Sequence, residues 1–257
     1  MRHYRAVVAE TPEQLADAQR VRHRVYVEEQ GLLAPGHAGL DGRCIDAGDA
    51  TPGTTHLLVY DDRQPIGTVR LSVRLSVRLS APGRTGMPRD AGRETPLPGF
   101  PFQLGGLPDR AAIGVVERFC VLRRFHGTRV MPALHAGLRA ESRRLGLSHW
   151  VALANAETNC PAEAGLIFDA ALAQGLMSET TTCRPWGAAP RPSGCDRHVY
   201  TEAERRQATA GRGSAARTLP LPRTLALFAR RLGARFLGRP LFDATFGVFA
   251  LPLVVVL

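Results

Sequence analysis

The spacing of apolar positions changes along the chain between the helical and the strand period, which predicts an α/β fold. A capping-box sequence, Thr-Pro-Glu-Gln at residues 11–14, opens the first helix. The helical period predicts helices over residues 12–26, 128–145, 161–174 and 222–237. The strand period predicts strands over residues 55–60, 66–80, 111–122 and 148–153, with short strands near 181 and 199. The order of these elements is typical of an α/β fold with parallel central strands.

Gly-, Pro- and polar-rich segments separate the predicted elements. Residues 31–53 and 81–110 read as loops, the second long enough to cover a site, and residues 201–216 as a linker. We therefore predict one domain over residues 1–205. Residues 206–257 then form an extension of linker, basic amphipathic helix and apolar tail.

The predicted helix of this extension opposes an apolar face to a basic one. Its apolar positions are Leu225, Phe228, Leu232 and Phe236, and its basic positions are Arg223, Arg230, Arg231 and Arg235. Such a helix either lies peripherally on an anionic membrane surface or packs on the core of the protein. The tail over 241–257 is too short and too interrupted by Asp243 and Pro252 to predict a membrane span.

A tandem repeat, VRLSVRLSVRLS, occupies residues 69–80. Because side chains alternate along a strand, valine and leucine fall on one face and arginine and serine on the other. The repeat is either a slipped duplication that lengthens a two-faced strand or an arginine ladder that binds anions.

The basic residues are all arginine, 33 in number, and the formal net charge is +10. The absence of lysine indicates either selection for anion binding or a GC-rich genome. The charge favours an acidic carrier protein or an anionic membrane as partner. No nucleic acid is expected, since the arginines are not interleaved with aromatic residues.

Cysteine usage and the amino terminus bear on the compartment. The five cysteines form no C-x-x-C pair, so we expect reduced thiols and no metal site. Charges and a proline occupy the positions where a secretory signal would be apolar. We therefore expect a cytoplasmic protein.

The segment VVERFCVLRRFHGTRV carries the first candidate chemistry. A strand ends in a loop with Arg124-x-x-Gly127 and passes into a helix at Thr128. Free amides at a helix start bind phosphate, here the phosphate of coenzyme A or phosphopantetheine. The candidate residues for this contact are Val121, Arg123, Arg124, His126, Gly127, Thr128 and Arg129. The alternative is an ordinary connection between a strand and a helix.

Several separated motifs resemble one family. Arg22-x-x-Val-Tyr with Glu28-Glu29, the run CIDAGDATPGTTHLLVYD from Cys44, Gly-x-x-Arg70-Leu, and ERFCV from Glu117 are similar to motifs of GNAT-superfamily N-acyltransferases of the acyl-homoserine lactone synthase-like branch. The tail LPRTLALFARRLGARFLGRPLFD is similar to that of ornithine-lipid N-acyltransferases, and long-chain N-acyl amino acid synthases lie close by.

This resemblance implies a GNAT fold, with a mixed central sheet flanked by helices and a C-terminal amphipathic and apolar helical extension. It implies transfer of a long-chain acyl group from a carrier thioester to the α-amine of an amino acid such as ornithine. The co-substrate would be acyl-phosphopantetheine on acyl carrier protein, or acyl-CoA, with no permanently bound cofactor. Arg129 stands where the family has Gly or Ala, which fits the branch that uses acyl carrier protein.

The resemblance also assigns the site. It makes Glu117 the catalytic base, although the family glutamate falls at Val115, and it makes Arg22, Asp46, Asp49, Arg70 and Arg118 substrate-binding. Asp46 and Asp49 would hold the cationic end of the amino acid and Arg70 its carboxylate, with a backbone N–H over residues 120–122 at the oxyanion.

Other interpretations stay open for these residues. Asp46 and Asp49 are also ordinary turn residues. Glu117 is also a structural ion-pair partner, and His56 a satisfied core residue. The rival functions are a signal synthase of the acyl-homoserine lactone type, an acyl-CoA-dependent N-acetyltransferase, and a non-catalytic module that binds a carrier protein or a membrane.

Overall fold

The computed structural model describes residues 3–34, 39, 41–74, 95–96, 102–108, 111–185, 190–210 and 219–257. Its strands and α-helices in chain order are β1 (Ala6–Val8), α1 (Pro12–His23), β2 (Thr54–Asp61), β3 (Gln64–Arg74), β4 (Thr95–Pro96), β5 (Phe102–Gly105), β6 (Ile113–Val121), α2 (Val130–Arg144), β7 (His149–Asn155), α3 (Pro161–Ala173), β8 (Thr182–Pro185), α4 (Glu202–Ala210), α5 (Arg223–Leu232), β9 (Arg235–Phe236), β10 (Leu241–Asp243) and β11 (Val248–Val256). The chain therefore has the mixed α/β fold predicted, a sheet flanked by helices.

The chain divides into two compact units. The first comprises residues 1–75, 112–150 and 257, and the second comprises residues 76–111 and 151–256. The predicted division at residue 205 is a different partition and stays a prediction.

An antiparallel sheet in the order β1-β2-β3-β6 forms the centre of the first unit. Helix α2 packs closely on one face of this sheet. A Cβ at Gly67 would lie only 2.9 Å from Cγ1 of Val130 in α2. Helix α1 begins with the predicted capping box, in which Thr11 and Gln14 satisfy each other's amides. It contacts the sheet through β3, and it continues past His23 in a π-helical turn, Arg24–Glu29.

Strands β2 and β3 form the predicted hairpin, with Leu57 opposite Val69 and His56 opposite Arg70. Side chains alternate as predicted along the first part of the repeat, but the polar face is not solvated. Arg70 and Ser72 are as buried as Leu71. Residues 75–80 of the repeat lie outside the described residues, so both interpretations of it remain open.

Strand β6 has a β-bulge opposite β3. Thr68 pairs with Cys120 and Arg70 pairs with Glu117, so that Arg118 and Phe119 together oppose the single residue Val69. Arg118 has a positive φ of 54°, an uncommon conformation for a residue other than glycine. The bulge interrupts the alternation of side chains at the position where candidate site residues occur.

The second unit corrects four predictions. The predicted loop over 81–110 contains β4 and β5, which pair antiparallel in the order β4-β5-β8. The predicted linker contains α4. The segment at Val199 is not a strand, because its amide donates to a side chain, Oε2 of Glu163, instead of to a neighbouring strand. The apolar tail is not helical: β10 and β11 form an antiparallel hairpin, as the β-branched run Val-Val-Val favours.

The predicted amphipathic helix of the tail exists but ends early, at Gly233, which adopts the left-handed conformation that stops a helix. Leu225 and Leu232 on its apolar face are buried within the protein, whereas Arg230 and Arg231 are exposed. This burial agrees with the core-packing interpretation of the helix. Among the described residues, no helix combines the length and apolar character needed to cross a membrane.

The prediction that all cysteines are reduced thiols is wrong for one pair. Cys160 and Cys195 form a disulfide, with their Cα atoms 4.4 Å apart. The sequence pattern could not show this pairing, because 35 residues separate the two cysteines and only the fold brings them together. Cys44, Cys120 and Cys183 are free thiols.

Candidate functional site

Six residues predicted for catalysis and substrate binding come together in the first unit. They are Arg22 from α1, Asp46 and Asp49 from a 3₁₀ turn (Ala47–Ala50), Arg70 from β3, and Glu117 and Arg118 from β6. We call these six residues the ion-pair cluster. Three guanidinium groups face three carboxylates, so the cluster is formally neutral.

Arg70 lies at the centre of the ion-pair cluster and is almost completely buried. Its Nη1 donates to Asp46 Oδ1 and, at 3.0 Å, to Asp49 Oδ1. Its Nε and Nη2 donate to Oε2 of Glu117 at 3.2 and 3.1 Å. One arginine therefore orients all three carboxylates.

Arg22 contacts the cluster from helix α1 and is fully buried. Its Nη1 donates to Asp49 Oδ1 at 2.8 Å, and Gln19 donates to the other oxygen of Asp49 at 3.1 Å. Nε and Nη2 of Arg22 have no hydrogen-bond partner among the described residues. Asp49 is thus held from two sides by α1 and β3.

The turn that carries Asp46 and Asp49 is itself a capping box. Asp46 accepts from the amide of Gly48 at 2.8 Å, and Asp49 accepts from the amide of Asp46 at 3.3 Å. At Gly48 a Cβ would lie 2.6 Å from both terminal nitrogens of Arg70. Arg70 therefore rests against bare backbone, a role of Gly48 that the sequence analysis missed.

The β-bulge in β6 explains how Glu117 and Arg118 both join the cluster. Neighbouring residues of a regular strand point to opposite faces. Here Glu117 contacts Arg70, while Nε of Arg118 donates to Oδ2 of Asp46 at 2.8 Å. About a fifth of each side chain is exposed, as is a quarter of Asp46, so these three residues form the accessible side of the cluster.

The electrostatics of the cluster favour charged carboxylates. Burial acts to raise the pKa of Asp46, but Arg118 and Arg70 outweigh it and hold that pKa well below its ordinary value. Burial likewise acts to raise the pKa of Asp49, and Arg22 outweighs it, so this pKa is also lowered. Both aspartates therefore stay ionised at neutral pH.

His56 sits beside the cluster as a buried residue. Its Nε2 lies 3.8 Å from Oδ1 of Asp49, and neither ring nitrogen has a hydrogen-bond partner among the described residues. Burial, and next the charge of Arg22, lower the pKa of His56. The burial agrees with the core position weighed for His56, but among the described residues the ring lacks the hydrogen bonds of a satisfied core residue.

Tyr26 and Cys120 belong to two of the family motifs, but no side-chain role was predicted for them. Both are buried, and the two side chains hydrogen-bond to each other. Burial is the main cause that raises the pKa of Cys120, to about 12. The thiol is therefore neutral and is not a nucleophile.

The predicted phosphate loop lies between β6 and α2. Arg123–Phe125 forms a 3₁₀ turn and α2 begins at Val130, two residues later than predicted. The delay has a local cause: the hydroxyl of Thr128 donates to the carbonyl of Phe125 at 2.7 Å and accepts from the amide of Val130 at 3.3 Å. Thr128 thus bonds to the first amide of α2, whose N-cap residue is Arg129.

Arg123, Arg124 and His126 of this loop already form hydrogen bonds with other residues of the protein. Glu29 accepts from the amide of Arg123 at 2.9 Å, and Nη2 of Arg123 donates to the carbonyl of Glu29. Arg124 donates to Gln64 and stacks over Phe125, and Nε2 of His126 contacts the carbonyl of Val121 at 3.0 Å.

Gly127 and Arg129 are the open part of the loop. Gly127 has a φ of 79°, and a Cβ there would meet nothing within 4 Å. Arg129 is exposed and makes no ion pair among the described residues. Both residues are exposed, and the described residues form no ion pair with Arg129 and no contact at the Cβ position of Gly127.

The strand geometry narrows the choice of oxyanion donor among the backbone amides of residues 120–122. The amide of Leu122 donates to the carbonyl of Ile66 on β3 at 3.0 Å. Successive amides of an antiparallel strand point to opposite sides. The amide of Val121 is therefore directed away from β3.

Comparison with known proteins identifies the class. The family model of the N-acyl amino acid synthase FeeM matches residues 17–159, more than half of the chain, and this range contains the whole ion-pair cluster and the loop. Synthesis of an N-acyl amino acid is the transfer of an acyl group to an amine, so the enzyme is an N-acyltransferase. The chain belongs to the N-acyl amino acid synthase FeeM family.

Solved structures with a similar fold include several acyltransferases. FeeM itself, an N-acyl amino acid synthase from uncultured soil microbes, is 11% identical, with 100% of this chain and 92% of that chain covered and a TM-score of 0.47. The acyl-homoserine lactone synthase BjaI is 20% identical over 60% of this chain and 67% of that one, with a TM-score of 0.41. TofI, solved with an inhibitor, is 15% identical over 98% and 91%, with a TM-score of 0.45. No curated protein sequence matches.

Proposed function

We propose that this N-acyltransferase moves a long-chain fatty acyl group from the thioester of an acyl carrier protein to the α-amine of an amino acid such as ornithine. The observation that carries the proposal is the β-bulge of β6, which brings Glu117 and Arg118 to one ion-pair cluster. A carboxylate and a guanidinium side by side suit a zwitterionic amino acid, which offers an amine and a carboxylate.

Glu117 is the proposed general base. Arg70 orients its carboxylate through two hydrogen bonds to one oxygen, Oε2. The amine attacks the thioester carbonyl, the C–N bond forms and the C–S bond breaks. The amine proton passes to Glu117 and then to the departing thiolate, so that the carrier leaves as a thiol.

Arg118 is our proposed partner for the substrate carboxylate, in place of Arg70. Arg70 is almost completely buried and its nitrogens are directed at Asp46, Asp49 and Glu117, whereas Arg118 is a fifth exposed. Asp46, the more exposed aspartate, would hold the cationic side chain of ornithine. Arg22 and Asp49 then act as buried supports.

The acyl donor would bind along β6 and the loop that follows. The amide of Val121, directed away from β3, is the proposed donor to the oxyanion. The carrier phosphate would contact the backbone at Gly127 and the start of α2. Arg123, Arg124 and Arg129 supply the charge around it, and His126 adds a hydrogen-bond donor. The exposed Arg129 would face an acidic carrier protein.

The first experiment identifies the reaction. The purified chain is incubated with a long-chain acyl carrier protein or with the coenzyme A thioester of the same acyl group, plus ornithine and other amino acids, and products are read by mass spectrometry. We expect an N-acyl amino acid, formed faster from the carrier protein. A homoserine lactone product from S-adenosylmethionine, or acetyl transfer only, would contradict the proposal.

The second experiment tests the base. Glu117→Gln should lower kcat by about 10²- to 10⁴-fold, with the KM for the acyl donor unchanged. The matched control is Glu204→Gln, because Glu204 lies on the exposed start of α4, where Gln also completes a capping box. If Glu117→Gln retains full kcat across the pH range, Glu117 is only an ion-pair partner.

A further inference from the structure

The second unit contains a group of ligand-type side chains that the acyltransferase site does not use. Cys160, Cys195 and His198 each place one donor atom within 4.8 Å of the others. Cys160 is buried at the N-cap of α3, whereas Cys195 and His198 are exposed. The two sulfurs form the disulfide described above.

The backbone holds these residues together independently of the disulfide. Oδ1 of Asn159 accepts from the amides of Asp196 and Arg197 at 3.0 and 2.9 Å. The hydroxyl of Thr158 donates to the carbonyl of Arg197 at 2.8 Å. The segment that carries Cys195 is therefore fixed beside the start of α3 when the sulfurs are not bonded to each other.

A buried carboxylate lies close to the histidine. Glu163, on the first turn of α3, accepts from the amides of Val199 and Tyr200 at 3.0 Å each. Its Oε1 lies 3.7 Å from Nδ1 of His198. A carboxylate behind one ring nitrogen is the usual support for a histidine whose other nitrogen binds a metal.

We propose that the chain binds one Zn²⁺ through Cys160, Cys195 and His198 when the disulfide is reduced. Two thiolates and an imidazole are preferred Zn²⁺ ligands, and the fourth position is left to water. In a tetrahedral site, with Zn–S at about 2.3 Å and Zn–N at about 2.0 Å, the two sulfurs are not bonded to each other, so they move apart on reduction. The histidine donor atom already lies within 4.8 Å of both.

The chemistry of the two states balances. A small dithiol reductant supplies two electrons and two protons to the disulfide and itself becomes a disulfide. Zn²⁺ then replaces the two thiol protons, which are released, and its oxidation state does not change. Because the same sulfurs serve both states, the disulfide and the Zn²⁺ site exclude each other.

The test measures metal content of the full-length chain. The protein is reduced with dithiothreitol under argon, desalted, mixed with Zn²⁺ and passed through gel filtration with a chromophoric chelator present. We expect one retained Zn²⁺ per reduced chain and none on the oxidised chain. Co²⁺ in place of Zn²⁺ should give the visible d–d absorption of a tetrahedral thiolate site.

The decisive variant is His198→Gln, which changes an exposed side chain and leaves both cysteines in place. It should abolish retention of the metal, and Cys183→Ser, which removes a free cysteine of the same unit, should not change it. Retention of Zn²⁺ by the oxidised chain or by His198→Gln would overturn the proposal. So would failure of the reduced wild type to retain it.

Discussion

Two regions of the first unit are rich in arginine, yet they hold it in opposite ways. In the ion-pair cluster, Arg22, Arg70 and Arg118 each contact at least one carboxylate, and Arg22 and Arg70 are almost completely buried. In the loop after β6, Arg129 is exposed and has no ion-pair partner among the described residues. Arginine therefore holds carboxylates in position in the cluster, whereas Arg129 in the loop is an exposed cation.

The difference follows from charge balance. The cluster is neutral, so it adds nothing to the net charge of +10, and its arginines fix the positions of carboxylates. Among the described residues, the arginines of the loop form no ion pair, and the carboxylate of Glu29 accepts from the backbone amide of Arg123. A neutral, rigid cluster suits positioning of a small substrate, whereas an unbalanced, exposed charge suits recruitment of an anionic carrier.

Arg70→Met should break this comparison most strongly. It leaves Asp46, Asp49 and Glu117 without their shared partner, and breaking a buried ion pair costs about 3–5 kcal/mol. We expect the free energy of unfolding, measured by urea titration, to fall by that amount. Arg129→Met makes the same chemical change in the loop and should alter stability by less than about 0.5 kcal/mol. An equal loss of unfolding free energy in the two variants would contradict the distinction between a structural arginine in the cluster and an exposed arginine in the loop.

Gly48→Ala should have the next largest effect. The added Cβ would meet the guanidinium of Arg70, which three carboxylates prevent from moving aside. Overpacking of this kind costs about 1–3 kcal/mol. Gly165→Ala is the control, since a Cβ there meets nothing within 4 Å and alanine favours the helix α3. Thermal unfolding should show a lower Tm for the first variant only, and an unchanged Tm would mean that Arg70 is not held in place.

Acid should weaken the cluster. The pKa values of Asp46 and Asp49 are lowered in the folded chain, because Arg118, Arg70 and Arg22 outweigh the effect of burial. The folded state then binds fewer protons than the unfolded state. This stability is complete above the unfolded pKa, near 3.8, and is lost as the pH falls through the folded values.

Urea midpoints measured between about pH 7 and pH 2 test this sign. Wild type should be level down to about pH 5 and fall below it, while Asp49→Asn should start lower and fall less steeply. A wild-type curve parallel to that of Asp49→Asn would show that Asp49 does not contribute to acid sensitivity.

Local patterns predicted the elements of the first unit well. The capping box at Thr11 fixed the start of α1, and alternation fixed the β2–β3 hairpin and the separate faces of Arg70 and Leu71. Resemblance to a family supplied the six members of the ion-pair cluster. These features depend on neighbours in sequence or on whole motifs, which a single chain displays directly.

Features that depend on contacts distant in sequence could not be predicted. The bulge that turns Arg118 towards Asp46 has no recognisable sequence signature in strand β6. The close approach of Arg70 to Gly48 forms only when three separate segments of the chain pack together. The resemblance predicts a helix for the apolar tail, because the sequence does not show which surface the tail would cover. The pairing of Cys160 with Cys195 likewise appears only once α3 is in place.

The smallest predicted effect concerns the loop after β6 and tests the role of its exposed arginine. Arg129→Met should leave kcat unchanged and raise the KM for acyl carrier protein by about two- to fivefold, the scale of one exposed charge contact. The rise should shrink as salt is added, because solvent-exposed charges are screened. The KM for the amino acid should not change, since Arg129 lies outside the cluster. A fall in kcat with an unchanged KM for the carrier would instead assign Arg129 to the chemistry and remove the proposed division between positioning and recruitment.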